Sequence, residues 1–160
     1  MTISDQQSPP PDDPTERRRR WLSVLAKSPG SRLRSLWSAL GAPPDYVVVR
    51  RPEVGLVMVQ GRTSGAGAAF CAGEMTATRA AVRLAGGQLG IGYAGGRDRG
   101  KVEIIAVVDA LGALPEWRAR IETMIVEPLA KEHEDRRRMA AGRVAATKVE
   151  FFTVAREAAA

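Results

Sequence analysis

Arg79 and Arg83 stand four residues apart in the run EMTATRAAVRL that spans Glu74 to Leu84. On an extended strand, residues of equal parity share a face. The two guanidiniums then point together with Ala81 between them, and such a pair could grip a phosphate or a partner's carboxylates. They could equally be an exposed sheet face balanced by Glu and Asp. Glu74, Thr76 and Thr78 point the other way. A second charged cluster, Gly95-Gly96-Arg97-Asp98-Arg99-Gly100-Lys101, precedes a predicted helix. Asp98 suits the N-cap. The helix N-terminus with Arg97 and Lys101 could hold an anion, or the segment is simply a capped surface turn. The substrate- or partner-facing candidates are therefore Arg79, Arg83, Arg97, Glu74 and Asp98, and no residue is assigned a catalytic or metal-binding role.

Other chemistry finds less support. Gly65 and Gly67 open like a nucleotide loop, but the position of a third glycine is Phe70 and no P-loop lysine follows. A dinucleotide fingerprint needs a helix after its glycines, whereas the alternation from Glu74 onward predicts a strand. The stretch reads as a glycine bend between strands, with Phe70 plugging it into the core; its backbone N–H groups could still meet an anion. Cys71 and His133 are each the sole residue of their type. That excludes a disulfide or a cysteine zinc site within the chain, and any Ser-His-Asp or Cys-His arrangement would have to use His133. His133 lies among Glu132, Glu134, Asp135 and Arg136, as a solvated residue on a polar helix does. Asp109 interrupts an apolar helix and needs a partner there; Arg97, Arg79 or a residue of another chain are the candidates.

The elements that must position these groups follow from periodicity and punctuation. The chain has 160 residues, 44% hydrophobic and 26% charged, which suits one globular domain. Residues 1–14, with Ser8-Pro9-Pro10-Pro11 and Asp12-Asp13-Pro14, predict a disordered proline-rich tail, and 15–160 a single domain. Thr15 is the expected cap of a first helix, ERRRRWLSVLAKS, and Ser31 of a second, RLRSLWSAL, which Gly41 ends; the two form a helical hairpin. Tyr46–Val49 and Leu56–Gln60 predict strands on either side of a turn at Pro52–Gly55. Residues 74–84 and QLGIGYAG continue the meander across Gly86-Gly87, with Leu89, Ile91 and Tyr93 on one face. Helices are expected from Lys101 to Leu114 and from Pro115 onward, with Pro128 kinking or splitting the latter. Thr147–Val154 alternates as a strand that would return to the sheet. The class is α+β, an antiparallel meander with an N-terminal helical hairpin, central and C-terminal helices and a returning C-terminal strand.

The net charge is +6, concentrated at Arg17–Arg20 and Arg136–Arg138. A basic balance favours anionic partners. Aromatic residues make up only 5%, few platforms for stacking single-stranded nucleic acid. No apolar run is long enough to span a bilayer, and the N-terminus lacks the apolar core of a signal peptide, so a cytoplasmic location is expected.

Several separated stretches together resemble one family. They are RRRWLSVLAKS, RRPEVGLVMVQGRTSGAGAAFCAGEMTATRAAVRL, GRDRGKVEIIAVVDAL and ATKVEFFTVAR. In that order they are similar to PhnG, a subunit of the bacterial carbon–phosphorus lyase system. The pattern falls on Gly65, Gly67, Phe70, Gly73, Glu74, Thr76, Thr78 and Arg79, then on Val82, Arg83, Leu84, Gly96, Arg97 and Asp98. It continues through Asp109-Ala110-Leu111 and closes on Val149, Phe151, Phe152, Thr153 and Arg156. The proline-rich tail lies outside it, and Cys71 departs from it.

The resemblance implies a core complex with PhnI-, PhnJ- and PhnH-like subunits and an ATP-binding accessory subunit, acting in phosphonate catabolism. That assembly moves the ribose triphosphate unit of MgATP onto an alkylphosphonate and releases adenine. MgATP is then a substrate of the complex, and no cofactor is expected on this chain. The nucleosidase chemistry is placed on the PhnI-like chain, leaving this one a scaffold with neither nucleic acid nor membrane as partner. The alternative reading is a basic nucleic-acid-binding module using Arg17–Arg20.

Overall fold

The computed structural model describes residues 13–63 and 67–146. The predicted tail and the predicted returning strand at Thr147–Val154 lie outside the described residues, as does Gly65. The element order is α1 (Pro14–Lys27), α2 (Gly30–Leu40), β1 (Tyr46–Arg62), β2 (Ala69–Leu84), β3 (Leu89–Gly95), α3 (Arg99–Leu111), α4 (Pro115–Ile121), a π-helical turn (Glu122–Val126) and α5 (Glu127–Ala146). The sheet is an antiparallel meander in the order β1-β2-β3, and the class is α+β.

The core is built around α3. Val102, Ile105, Ala106, Val107, Val108, Ala110 and Leu111 are all buried, so the helix is apolar nearly all round. Such a helix must be covered on every side. The sheet covers one side through Ala80, Val82, Leu84 and Ala94; Trp21, Leu25, Leu33 and Leu40 of α1 and α2, with Ile121, Ile125 and Leu129, complete the enclosure. The approach of α3 to β3 depends on two glycines. A Cβ at Gly90 would stand 2.0 Å from the Ala106 carbonyl oxygen, and one at Gly92 2.0 Å from that of Val102. Leu89, Ile91 and Tyr93 consequently share the opposite, exposed face of β3.

Helix ends differ in detail from expectation. The cap of α1 is Asp13, which accepts from the Thr15 and Glu16 N–H groups at 3.1 and 3.4 Å. Thr15 falls inside the first turn because Pro14 has no N–H to lose at that end and its φ is already helical. Ser31 does not cap α2; the cap position is Pro29, without a side-chain bond. Gly41 ends α2 at φ 92°, as predicted. The helix from Arg99 stops at Leu111 rather than Leu114.

The helix C-termini are closed by basic side chains. Lys101 Nζ donates to the Ala26 carbonyl at the end of α1, at 2.6 Å. Arg120 does the same for Leu40 of α2, at 2.6 Å, while its guanidinium lies 4.8 Å from the centre of the Trp117 ring. Arg118 donates to Gly112 and Ala113 beyond α3, both at 3.1 Å. Cations at these negative helix ends satisfy orphan carbonyls and complement the helix dipole.

The largest correction concerns β1. The expected turn at Pro52–Gly55 is absent, and Tyr46 to Arg62 is one continuous strand. The register slips between Val48 and Arg50 and again between Arg50 and Glu53. Bulges of this kind leave residues out of the ladder, which is how an edge strand accommodates Pro52 without losing a needed N–H bond. β2 likewise begins at Ala69, earlier than expected. β3 pairs only with Ala77–Arg83 of β2. The rest of β1 and β2 therefore runs on as a two-stranded arm. Phe70 belongs to this arm, not to the core. It is exposed and lies across Gly61, its partner on β1, whose added Cβ would be 3.0 Å from the Phe70 ring.

Candidate partner-facing surface

The exposed face of the sheet is set by register, because directly paired residues lie on one face. Three rows cross it: Val47, Arg83 and Leu89; Arg50, Ala81 and Ile91; Glu53, Arg79 and Tyr93. Val47, Leu89, Ile91 and Tyr93 are all among the exposed large apolar residues. A charged stripe runs beside this apolar column. Arg79 Nε and the Arg50 guanidinium both donate to Glu53 Oε1, at 2.6 and 2.7 Å. Those two guanidiniums hold the Glu53 carboxyl below the usual carboxylate range. Next to the stripe lies a shallow depression of about 260 Å³ that includes Glu53, Leu56, Ala77, Arg79 and Tyr93 in its walls.

The predicted residues fall in three separate places. Arg79 and Arg83 share the exposed face, as their spacing required, but Arg79 is turned to Glu53 and Arg83 stands two rows away beside Leu89. Glu74 is out on the arm, paired with Met58 on the opposite face. Arg97 and Asp98 occupy the turn from β3 into α3, which is held to β2 by Thr78 Oγ1 donating to the Gly96 carbonyl at 2.7 Å. Asp98 caps α3, accepting from Lys101 N–H at 2.9 Å, and takes Arg34 on both carboxylate oxygens, at 3.0 and 2.9 Å. The Lys101 N–H and then the Arg34 guanidinium hold the Asp98 carboxyl below its usual range. An anion at this helix end would compete with a carboxylate already there. Lys101 itself points inward to Ala26, and burial pulls its ammonium below the ordinary lysine range.

Asp109 does have a partner, and it is neither Arg97 nor Arg79. Arg18 clamps it with two bonds, Nε to Oδ1 at 2.7 Å and the terminal nitrogen to Oδ2 at 2.8 Å. Oδ2 also accepts from the Ile91 N–H at 2.8 Å, so one buried carboxylate ties α1, α3 and the outer edge of β3 together. The hydrogen bond to Asp109, followed by its charge, raises the Arg18 pKa. Nearby, Arg20 bonds Glu122 at 2.8 Å, and the Trp21 indole N–H donates to the other oxygen of Glu122. Arg19 pairs with Glu16. The basic block at 17–20 is thus largely engaged within the molecule. The sequence flagged Asp109 as a buried acid, yet gave no means of choosing Arg18 across more than ninety positions.

Among the described residues, no group of three His, Cys, Asp or Glu side chains is placed to hold a metal ion. No helix among them is long and apolar enough to cross a membrane. Cys71 is exposed on the arm, its thiol 3.3 Å from the Met58 sulfur.

This combination, a single helix-centred core with one bare sheet face and a projecting arm, accompanies clear similarity to known proteins. The profile of the family described as phosphonate metabolism protein PhnG matches residues 16–157. A protein of Rhizobium meliloti (strain 1021), the alpha-D-ribose 1-methylphosphonate 5-triphosphate synthase subunit PhnG, is 39% identical over 140 residues, covering 87% of this chain and 88% of its own length.

Proposed function

The chain belongs to the PhnG family of phosphonate metabolism proteins, and from that premise we propose that it is a positioning subunit of an alpha-D-ribose 1-methylphosphonate 5-triphosphate synthase. In this reading the assembled enzyme joins a phosphonate oxygen to the ribose of MgATP as the bond from ribose to adenine breaks. The PhnI-like subunit carries that chemistry, with PhnJ- and PhnH-like subunits and an ATP-binding accessory subunit beside it. The work takes place in the cytoplasm, and MgATP is a substrate of the complex. This chain supplies shape and charge. Arg83 and Arg97, with Arg79 held in place by Glu53, add positive potential where two anionic substrates must meet.

The observation that carries the reading is the bare sheet face. Leu89, Ile91 and Tyr93 form an apolar column along β3, with Arg79 and Arg83 beside it on β2 and exposed Val47 beyond Arg83 on β1, and a column of that kind marks a protein contact. The side chains best suited to chemistry are, by contrast, occupied in building the fold: Asp109 by Arg18, Asp98 by Arg34 and the helix end, and Lys101 by Ala26.

Reconstitution tests the proposal. Adenine release from MgATP and methylphosphonate should need this chain together with the other subunits, and the isolated chain should turn over no ATP. Release at the full rate without it would overturn the proposal. The nucleic-acid alternative predicts tight binding to DNA or RNA with a steep salt slope. With Arg18, Arg19 and Arg20 already paired, a titration should show weak binding.

A further inference from the structure

The arm formed by β1 and β2 has one property that the sheet face lacks. β1 is the edge strand, so its outer backbone groups have no strand partner among the described residues. Natural edge strands are usually blunted by charge, proline or bulges. Here charge and proline are confined to the part nearer the core, where Arg50, Arg51 and Pro52 lie with two of the three register slips; the third slip falls between Val59 and Gln60, at the far end of the apolar run. From Val54 to Gln60 the edge carries no charge at all. Leu56 is 65% exposed and Met58 69%, and Val54 and Val59 are exposed beside them. Beyond Ala77 this segment belongs to a two-stranded ribbon, an arrangement marginally stable in water by itself.

We propose that the outer edge of β1 over Val54–Gln60 receives a strand from another subunit of the synthase, apolar at its centre and acidic at its flanks. This rests on the subunit reading above. Strand addition would supply main-chain hydrogen bonds along the edge, and alternate side chains of the incoming strand would cover the two faces of the arm. Charge decides between a foreign strand and a second copy of this chain. In an antiparallel self-pair centred on Val57, Arg62 of each copy falls opposite Pro52 and between Arg51 and Glu53 of the other, beside a group that with Arg50 carries a net charge of +1 (two Arg less one Glu). That net like charge disfavours the self-pair. A strand with Asp or Glu at both flanks meets Arg51 at one end and Arg62 at the other with attraction.

Hydrogen exchange on the full chain, alone and in the co-expressed complex, tests this directly. Outward amides within 54–60 should exchange fast in the free chain and at least about tenfold more slowly in the complex. The double variant Leu56→Lys/Met58→Lys changes only exposed side chains. It should melt like the parent yet recover about tenfold less of the other subunits, whereas Met139→Lys on α5 should recover them normally. If 54–60 exchanges equally fast in both states, the edge is not the docking site, although the subunit reading stands. If the parent chain recovers none of the other subunits, the subunit reading fails and this proposal with it. If the isolated chain dimerises and protects 54–60, the occupant is a second copy and the proposal is overturned.

Discussion

Asp109 shows how one side chain can organise three elements. Its side chain is 2% exposed, while that of Arg18 is 54% exposed, so the clamp is buried at one end and wet at the other. Removing one partner of a buried pair costs roughly 3–5 kcal/mol; the wet guanidinium brings the expectation for Arg18→Ala down to about 2 kcal/mol. Asp109→Ala should cost more than Arg18→Ala, because the Ile91 N–H then loses its acceptor as well. Chemical denaturation of both variants checks the order. Asp98→Ala should cost about 1 kcal/mol as a lost cap. Its pH signature has a definite sign. The folded carboxyl titrates lower than the unfolded one, so its contribution is complete above the usual carboxylate range and is lost as pH falls through the folded pKa. The difference in melting temperature between parent and Asp98→Ala should therefore shrink in acid. Asp98 as a cap was legible from Gly-Arg-Asp ahead of an apolar run. Arg18 as the clamp was not, because a run of arginines looks the same whether solvated or engaged.

Among the elements, β3 was the most readable in extent, and what remained hidden in it is geometric. Alternation in Leu89-Gly-Ile-Gly-Tyr marks a strand, but periodicity cannot say that the small residues face inward. The core side carries glycine because the α3 backbone lies against it. Gly90→Ala and Gly92→Ala should each force helix and strand apart, at the upper end of the roughly 1–3 kcal/mol typical of overpacking or beyond it. A denaturant midpoint unchanged from the parent would show that α3 can move away freely. β1 was the least readable element. Pro52 and Gly55 are ordinary turn residues, and only pairing with β2 reveals that a bulge absorbs Pro52 while Gly55 sits in regular register opposite Ala77. Both the unbroken strand and the arm beyond it depend on contacts distant in sequence, which local propensity cannot report.

For the molecule as a whole, the net charge of +6 is a poor guide to partners by itself. Lys101, Arg118 and Arg120 close helix ends, and Arg18, Arg20, Arg32 and Arg34 bind acids on other elements. The sequence displayed the excess but not its internal use. The exposed sheet face and the outer edge of β1 are what this leaves for partners. Ile91→Asp, which places a charge in the middle of the apolar column, should leave the isolated chain folded. It should also reduce recovery of the other synthase subunits at least about tenfold, since an unpaired charge buried at an interface costs several kcal/mol. Co-purification followed by thermal melting of the free variant separates loss of assembly from loss of fold.

The π-helical turn at Glu122–Val126 has a consequence of its own. The Glu127 N–H reaches back to the Glu122 carbonyl, and Pro128 follows immediately. A wider turn there spares the helix the clash and the missing bond that proline imposes. It also acts as a phase shifter, since one surplus residue turns everything downstream by about 100° about the helix axis. Glu132 meets Arg32 only with that rotation in place. Winding 122–126 as an even α-helix with every residue kept would turn the downstream side chains by about 100°, whereas deleting a single residue there would even out the winding and leave α5 facing as it does. The long, exposed end of that helix is thus aimed by a one-residue indexing step.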